Sequence, residues 1–345
     1  MSRKHPILSI TGSSGAGTST VKSTFEQIFF RENISACFIE GDAFHRFTRK
    51  QMKAAMVEAE EAGNKNFSHF GPKANLFSEL EEVFRVYSET GAGKTRHYVH
   101  DEIESELYGV NPGEFSEWES FPEGTDLLFY EGLHGAVNTD QANVAQYADL
   151  KVGVVPVTNL EWIQKIHRDK VARGYSAEAI TDTILRRMPD YIEYICPQFT
   201  NTDINFQRVP IVDTSNPFIA RWIPTADESM VVIRFANPRG IDFQYLLTMI
   251  HNSFMSRPNV IVIPGGKIDL AMQLIFTPLV MQMVEESEPL HKITIIPRGV
   301  AYLGATMQLP EKDRHMESRT KLTGVLTGLM GGRVVRAKGL QGAAV

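Results

Sequence analysis

Cysteine is scarce in this sequence, and long uncharged apolar runs and an excess of positive charge are missing. Its two cysteines, Cys37 and Cys196, lie in no C-x-x-C or Cys/His spacing, which argues against a disulfide framework or a zinc site. No uncharged apolar run approaches the ~18 residues that cross a bilayer, and too few apolar residues follow Arg3 and Lys4 for a signal peptide. The net charge of -6 argues against binding nucleic acid through overall charge. We therefore expect a cytoplasmic protein with reduced thiols, without a membrane span and without a nucleic acid partner.

A glycine-rich loop follows the first apolar segment of the chain. Residues 6–11 predict a buried strand, and residues 18–31 predict a helix with apolar residues at helical spacing. Between them lies the sequence GSSGAGTST, residues 12–20. The order of strand, glycine-rich loop and helix is the context of a phosphate-binding loop. A generic turn between a strand and a helix is the alternative.

The loop departs from the usual pattern G-x-x-x-x-G-K-[ST] at one position. Gly12, Gly17 and Ser19 fit the pattern, but Thr18 stands where the lysine belongs. Backbone N–H groups at a helix N-terminus can still surround a β-phosphate, and the hydroxyl of Ser19 can bind Mg²⁺. We therefore predict that ATP is bound by Gly12, Ser13, Ser14, Gly15, Ala16, Gly17, Thr18, Ser19 and Thr20, with the missing positive charge supplied from elsewhere.

Strands and helices alternate along the chain. Further strands are predicted from ACFIEGD, DLLFYEG, ADLKVGVVPV, SMVVIRF and NVIVIPGG, and further helices over about 74–87, 159–173 and 269–286. This alternation predicts an α/β fold with a doubly wound, mostly parallel or mixed sheet flanked by helices. Such folds bind ligands at the carboxyl ends of strands, where Asp42 and Glu131 lie. Glu131 is a candidate for the metal side of the site, or an ordinary acidic loop residue.

Cations follow Asp42 at helical spacing. In GDAFHRFTRKQMK, His45, Arg49 and Lys53 are spaced so that a helix would carry them as one cationic stripe. A carboxylate facing such a stripe could deprotonate a sugar hydroxyl while the cations hold a phosphate of the same substrate. The alternative is a solvated basic face with Asp42 as the helix N-cap.

The segment NLEWIQKIHRDKVARG offers a replacement for the missing loop lysine. On a helix, Lys165, Arg168 and Asp169 fall within an arc of roughly 100°, and Arg173 lies one turn further along. Lys165 could then reach the β,γ-phosphates from outside the loop, because phosphoryl transfer needs charge at the transferring group and not at a fixed sequence position. An exposed helix with internal salt bridges is the alternative.

A second sequence, GAGKT at residues 91–95, resembles the end of a phosphate-binding loop but fails on context. Ser88 occupies the position of the first glycine, and no apolar strand precedes the segment. We expect this part of the chain to form a mobile cover over the site, with Lys94 and Arg96 able to reach a phosphate.

Six longer sequences resemble the proteobacterial class of the phosphoribulokinase family. They are GSSGAGTSTVK, GDAFHRFTR, LLFYEGLHG, VGVVPVTNLEWIQKIHRDK, QRVPIVDTSNPFIARWIPTADES and FANPRGIDF. The resemblance implies a domain with a P-loop kinase-like fold over residues 1 to about 288. It implies a reaction in which the γ-phosphate of MgATP is transferred to the C1 hydroxyl of D-ribulose 5-phosphate, a step of carbon fixation in the Calvin cycle.

The resemblance also implies roles for particular residues. Asp42 is expected to be the general base, and Asp169 a second acid at the metal or the nucleophile. Lys165 and Arg168 are expected to neutralise developing charge, and Glu131 to lie on the metal side. A basic set is expected to bind the sugar phosphate, namely His45, Arg49, Arg173 and, with the predicted stripe, Lys53.

Regulation and assembly follow from the same resemblance. The class is activated by NADH, which acts as an effector and not as a redox cofactor, and it forms octamers. Arg31, Arg234 and Arg257 correspond to the arginines associated with that control. The glycine-rich loop holds no cysteine, so we expect no thioredoxin switch.

The composition changes after Glu288. Residues 289–345 carry nine Lys/Arg and three Asp/Glu, a net charge of +6, whereas the remainder of the chain has a net charge of -12. This tail resembles part of the peptidase domain of the FtsH-type AAA zinc proteases. The motif H-E-x-x-H occurs nowhere in the chain, and His291 and His315 cannot supply its spacing. We expect the tail to be an incomplete, non-catalytic fragment.

Two other functions are compatible with the sequence. One is a related small-metabolite kinase of the uridine or pantothenate type. The other is a nucleotide-binding regulatory protein without turnover, for which the departure at Thr18 and the foreign tail are the reasons.

Overall fold

The structure, a computed structural model, describes residues 5–12 and 18–287, without the side chains of residues 18–20, 172, 173 and 287. The chain divides into two compact units. Arg3–Leu270 form the larger unit, and the described residues from Ala271 to Ser287 belong to the second.

Eight strands of the larger unit form one sheet, and two short strands form a separate hairpin. The ten strands are β1 (Ile7–Gly12), β2 (Ala36–Glu40), β3 (Lys94–Thr95), β4 (Glu119–Ser120), β5 (Leu127–Gly132), β6 (Leu150–Val155), β7 (Ile204–Pro210), β8 (Ser229–Phe235), β9 (Phe254–Arg257) and β10 (Val260–Pro264). The order across the sheet is β2, β5, β1, β6, β7, β8, β10, β9, with β3 and β4 in the hairpin. Strands β2, β5, β1, β6 and β7 are parallel, and β8, β10 and β9 pair antiparallel with their neighbours. The predicted mixed, mostly parallel sheet is confirmed.

The described α-helices are α1 (Thr18–Glu32), α2 (Arg49–Glu61), α3 (Phe77–Thr90), α4 (Glu102–Tyr108), α5 (Thr158–Arg173), α6 (Ala177–Asp190), α7 (Gln198–Asn201), α8 (Phe243–Met249) and α9 (Ile268–Ser287). The helices predicted over 18–31, 159–173 and 269–286 are confirmed. The helix predicted from about residue 74 begins at Phe77, because Pro72–Ala74 form a separate 3₁₀ turn. It ends at Thr90 and is capped by Gly91, whose φ of 70° lies in the left-handed region that favours glycine.

Helices cover both faces of the sheet. Phe129 and Tyr130 follow each other on β5, so their side chains point to opposite faces. Phe129 packs against Phe25 and Phe29 of α1, with ring centroids 5.4 and 5.5 Å apart. Tyr130 packs against Phe84 of α3, with centroids 5.5 Å apart. The three-layer arrangement leaves the ends of the strands for a site.

Helix α9 is strongly apolar. The segment Gly265–Glu286 is long and apolar enough to span a membrane when judged by length and composition alone. Core helices of globular proteins meet the same criterion, so this is weak evidence. The expectation of a chain without a membrane span stays a prediction.

Candidate active site

The carboxyl ends of β2, β5, β1 and β6 meet at one edge of the sheet, because these strands are neighbours and parallel. At this edge Gly41 and Gly132 touch through their backbones. A Cβ added to Gly132 would lie 2.6 Å from the Cα of Gly41, and one added to Gly41 would lie 2.8 Å from the Cα of Gly132. Larger residues would push the two strand ends apart. The contact places Asp42 beside the end of β5, where Glu131 lies.

Asp42 lies in a 3₁₀ turn, Gly41–Phe44, and faces two histidines. Its Oδ1 is 3.2 Å from Nε2 of His45, and its Oδ2 is 3.4 Å from Nε2 of His100. The side chain of Asp42 is 39% exposed, whereas that of His45 is 8% exposed. The carboxylate is therefore held by the protein and still accessible to a substrate.

The histidines set the charge of Asp42. Burial alone would raise the pKa of this carboxyl group, but the hydrogen bond and charge of His45, followed by the charges of His100 and His69, lower that pKa to about 2. Asp42 is therefore ionised at neutral pH and can accept a proton. A substrate that draws these positive charges away would increase its basicity.

Three histidines near Asp42 were not among the predicted site residues, namely His69, His100 and His134. The rings of His45 and His69 have centroids 4.8 Å apart, and Nε2 of His134 lies 3.4 Å from the carbonyl oxygen of His69. Burial, with the charge of His45 next, lowers the pKa of both His69 and His134 to about 3, so both are neutral. His134 follows closely on β5 in the sequence, which is a usable signal. No spacing in the sequence connects His69 or His100 with Asp42.

The predicted cationic stripe is wrong. His45 is not helical but lies between the 3₁₀ turn and α2, which begins at Arg49. Thr48 forms a capping box at this point, which starts the helix after His45. Nη2 of Arg49 donates to the carbonyl oxygen of His100 at 3.1 Å, so Arg49 lies beside the Asp42 site. Lys53 is exposed one turn further along α2.

Arg96 holds the hairpin segment against the Asp42 turn. We expected it to be available to a phosphate, but its guanidinium is bonded to the protein. Its Nε donates to the carbonyl oxygen of Ala43 at 2.9 Å, and its Nη2 to that of His45 at 2.7 Å. Its guanidinium carbon lies 3.7 Å from the ring centroid of Phe115 and 4.8 Å from that of Trp118. The segment predicted to be a mobile cover is thus attached to the site at this point.

A second cluster of one carboxylate and two cations lies on α5. Oδ2 of Asp169 is 2.8 Å from Nζ of Lys165, and Oδ1 is 3.0 Å from Nε of Arg168. The Asp169 side chain is 5% exposed and that of Lys165 is 15% exposed. Ile163 and Ile166 are buried in the core. The predicted arrangement of these residues on one helix is therefore present.

Both members of the central pair on α5 have shifted pKa values. Burial acts to raise the pKa of Asp169, but the hydrogen bond and charge of Lys165 outweigh it and lower that pKa. Burial, together with the charge of Arg187 on α6, lowers the pKa of Lys165 against the opposing effect of Asp169. Arg187 also lowers the pKa of His69, so it lies near both clusters. The charge of Arg187 therefore acts on a residue of the α5 cluster and on a histidine near Asp42.

Glu131 lies at the end of β5, in register with Ile10 of β1 and Glu40 of β2. Lys22 of α1 forms a 2.7 Å ion pair with Glu40. Burial acts to lower the pKa of Lys22, but Glu40 and then Glu131 raise it. No group of three or more His, Cys, Asp or Glu residues that could hold a metal occurs in the described part of the chain. A single carboxylate beside the glycine-rich loop fits Mg²⁺, which kinases bind through one or two protein ligands and the substrate phosphates.

Most of the glycine-rich loop lies outside the described residues. This applies to Ser13, Ser14, Gly15, Ala16 and Gly17, and to the side chains of Thr18, Ser19, Thr20 and Arg173. Gly12 ends β1 and Thr18 begins α1, so the required order of strand, loop and helix is present. ATP binding by the loop, the Mg²⁺ contact of Ser19 and the reach of Lys165 to the phosphates stay predictions.

The three arginines expected at a regulatory site fall into two places. Arg234 of β8 and Arg257 of β9 flank Val260 of β10 in register, and both are exposed. Arg31 lies in the last turn of α1, with its Nε 2.9 Å from Oε1 of Glu32. Helix α1 packs over β5 and β2, and β5 is four strand spacings, roughly 19 Å, from β8. Within one chain, Arg31 is separate from the other two.

Two sequence families match this chain. The Phosphoribulokinase / Uridine kinase family matches residues 7–215. Peptidase family M41 matches residues 278–339, most of which lie outside the described part of the chain.

Individual relatives match over nearly their whole length. The chain is 71% identical to a phosphoribulokinase of Nitrobacter vulgaris over 288 residues, which cover 84% of this chain and 99% of the relative. It is 67% identical to the chromosomal phosphoribulokinase of Cupriavidus necator over 285 residues, 83% of this chain and 98% of the relative. The solved structure of a phosphoribulokinase from Rhodobacter spheroides is similar, with a TM-score of 0.77, 64% identity and coverage of 83% and 99%. The chain belongs to the phosphoribulokinase/uridine kinase family and is a P-loop kinase, a phosphotransferase.

Proposed function

We propose that this enzyme transfers the γ-phosphate of MgATP to the C1 hydroxyl of D-ribulose 5-phosphate and so forms ribulose 1,5-bisphosphate in carbon fixation. The observation that carries the proposal is the presence of both an accessible, ionised carboxylate, Asp42, and a cationic cluster on α5 that contains Lys165 and Arg168. The identity of 71% to a phosphoribulokinase over 99% of that relative's length supports the choice of substrate.

In this mechanism Asp42 accepts the proton of the C1 hydroxyl. The hydroxyl oxygen then bonds to the γ-phosphorus, and the bond from that phosphorus to the β,γ-bridging oxygen breaks, which releases ADP. Lys165 and Arg168 stabilise the charge on the transferring group, and Asp169 orients them. Because the transition state of phosphoryl transfer is loose, a weak base such as Asp42 is sufficient.

The remaining predicted residues complete the binding site. The backbone of residues 12–20 would hold the ATP phosphates, with Ser19 and Glu131 on the Mg²⁺ side. The sugar phosphate would lie against the basic residues His45, Arg49, Lys53 and Arg173. The position of Arg49 beside His100 supports this assignment most directly.

The direct test is turnover with MgATP and either ribulose 5-phosphate or uridine, followed by ADP release in a coupled assay. We expect ADP release with ribulose 5-phosphate only. Turnover with uridine alone would favour the other branch of the family, and no turnover with either would favour a regulatory nucleotide-binding protein.

We further propose activation by NADH and assembly into a homo-octamer. Because Arg31 is separated from Arg234 and Arg257 within one chain, one effector molecule that touches all three must lie between two protomers. Light scattering should give about 310 kDa, eight times the chain mass of 38.7 kDa. NADH should increase turnover in the parent protein and have no effect on the Arg234→Gln variant.

We propose that the kinase domain ends at about residue 288 and that residues 289–345 are a non-catalytic tail. The match to Peptidase family M41 supports the origin of the tail, and the absence of H-E-x-x-H from the sequence supports its inactivity. We expect less than one zinc per ten chains by elemental analysis. We also propose a cytoplasmic enzyme, which high-speed centrifugation of a lysate should leave in the supernatant.

A further inference from the structure

Asn75 is a buried amide that joins the Asp42 turn to the loop that carries His69, and its side chain has little freedom. It is 2% exposed. Its Nδ2 donates two hydrogen bonds of 2.7 Å, to the carbonyl oxygens of His69 and Gly71. Its Oδ1 lies 2.9 Å from Nδ1 of His45. Because carbonyl oxygens only accept hydrogen bonds, the amide nitrogen must face them, and only one orientation of the amide is possible.

That orientation determines the protons on His45. The amide oxygen of Asn75 is only an acceptor, so Nδ1 of His45 must carry a proton and donate it. Nε2 of the same ring lies 3.2 Å from the ionised carboxylate of Asp42, which is also only an acceptor. An ion pair between them therefore requires a proton on Nε2 as well. A ring that is protonated at both nitrogens is an imidazolium.

We propose that Asn75 is a positioning residue that holds His45 as an imidazolium and thereby leaves Asp42 as the proton acceptor of the pair. A doubly protonated ring has no lone pair for a substrate proton. It offers a positive charge to the sugar phosphate instead. The catalytic consequence rests on the proposed function, whereas the protonation of the ring can be measured without turnover.

The surroundings of His45 do not favour a second proton by themselves. Besides Asp42, the titratable or charged groups near the pair are His69, His100, His134, Tyr98, Tyr130, Arg46, Arg49, Arg96 and Arg187. The four arginines are cations, and Asp42 is the carboxylate of this set. The acceptor of Asn75 and the charge of Asp42 are thus the two features that retain the imidazolium.

The first test is spectroscopic. In the full chain labelled with ¹⁵N-histidine, two-bond ¹H–¹⁵N correlation spectra report whether each ring nitrogen carries a proton, and the His45→Gln variant assigns the signals. At pH 7 we expect both nitrogens of His45 to be protonated in the parent protein. In Asn75→Leu we expect one of them to be unprotonated. A parent spectrum with one unprotonated nitrogen overturns the proposal, and this measurement does not require that the variant folds.

The second test is kinetic. Loss of the imidazolium raises the pKa of Asp42, and because Asp42 acts in its ionised form, the acid limb of kcat/KM for ribulose 5-phosphate should move to higher pH. We expect a shift of at least about one pH unit in Asn75→Leu. The matched control is Asn205→Leu, which also removes a buried amide, one that donates to the carbonyl oxygen of Phe199 at 2.9 Å.

The control separates a positioning role from a structural one. If Asn75→Leu loses thermal stability as Asn205→Leu does but keeps the parent acid limb, Asn75 has no positioning role. If the parent protein itself does not turn over ribulose 5-phosphate, the proposed function fails, and the histidine spectra still decide the role of Asn75.

Discussion

Asp42 and Asp169 are two carboxylates of the candidate active site that are held in different ways. Asp42 faces histidines and is 39% exposed, whereas Asp169 is paired with a lysine and an arginine and is 5% exposed. Histidine changes charge near neutral pH, but lysine and arginine do not. The charge around Asp42 therefore depends on whether histidine rings carry a second proton, while that around Asp169 comes from a lysine and an arginine. This difference suits a group that accepts a proton and a group that only orients cations.

The largest effect that separates the two is expected from Asp42→Asn. The amide has the same shape but cannot accept the proton, so kcat should fall by about 10²–10⁴-fold, while ATP affinity by titration calorimetry stays within about twofold. Asp203→Asn is the control. Asp203 forms an ion pair with Lys151 at 3.1 Å, and this pair lies elsewhere in the sheet. An equal loss of kcat in both variants would contradict a catalytic role for Asp42.

Lys165→Met is expected to have the next largest effect. Loss of a positive charge at the transferring phosphoryl group should lower kcat by roughly 10²–10³-fold and change the KM for ribulose 5-phosphate less. Lys151→Met removes a lysine from a comparable ion pair elsewhere and should leave kcat near that of the parent. Initial-rate kinetics on both variants check this. Full activity of Lys165→Met would contradict a role for the α5 cluster in phosphoryl transfer.

Arg96→Lys should affect the Asp42 cluster more than the α5 cluster. A lysine cannot keep both hydrogen bonds to the turn or the stacking over Phe115, so we expect a loss of about 2 kcal/mol in the free energy of unfolding. Turnover should fall several-fold because the turn that carries Asp42 loosens. Thermal denaturation and kinetics measure both effects, with the exposed Lys94→Ala expected to change stability by less than about 0.5 kcal/mol.

The smallest predicted effect is on acid stability. The pKa of Asp42 in the folded protein is about 2, below an unfolded value of about 3.9. The contribution of Asp42 to the free energy of unfolding is therefore complete above about pH 4 and is lost as the pH falls towards 2. The free energy of unfolding, measured with urea, should fall over this pH interval in the parent protein. It should fall less in Asp42→Asn. A parallel decline of the two proteins would show that Asp42 carries no such linkage.

Local sequence patterns predicted the elements that depend on neighbours along the chain. The helix α5 and its pair Lys165–Asp169 were predicted because residues four apart lie on one face of a helix. The buried strand β1 before the glycine-rich loop was predicted from its apolar run. Strand β7 was not predicted, because Gln207 and Arg208 interrupt its apolar pattern.

Helix boundaries set by capping and contacts between distant segments could not be predicted from these patterns. The stripe of His45, Arg49 and Lys53 assumed a continuous helix, but the capping box at Thr48 starts α2 later. His100 comes from a segment more than fifty residues away, and only the fold brings it to Asp42.

The sequence by itself determined the fold class, the loop between β1 and α1, and the cation cluster of α5, because each of these follows from periodicity or spacing along the chain. Only the tertiary structure decided the surroundings of Asp42. There the segment with His69 and Asn75 meets the segment with Arg96 and His100, and their burial and hydrogen bonds, which no local pattern encodes, determine which groups carry protons.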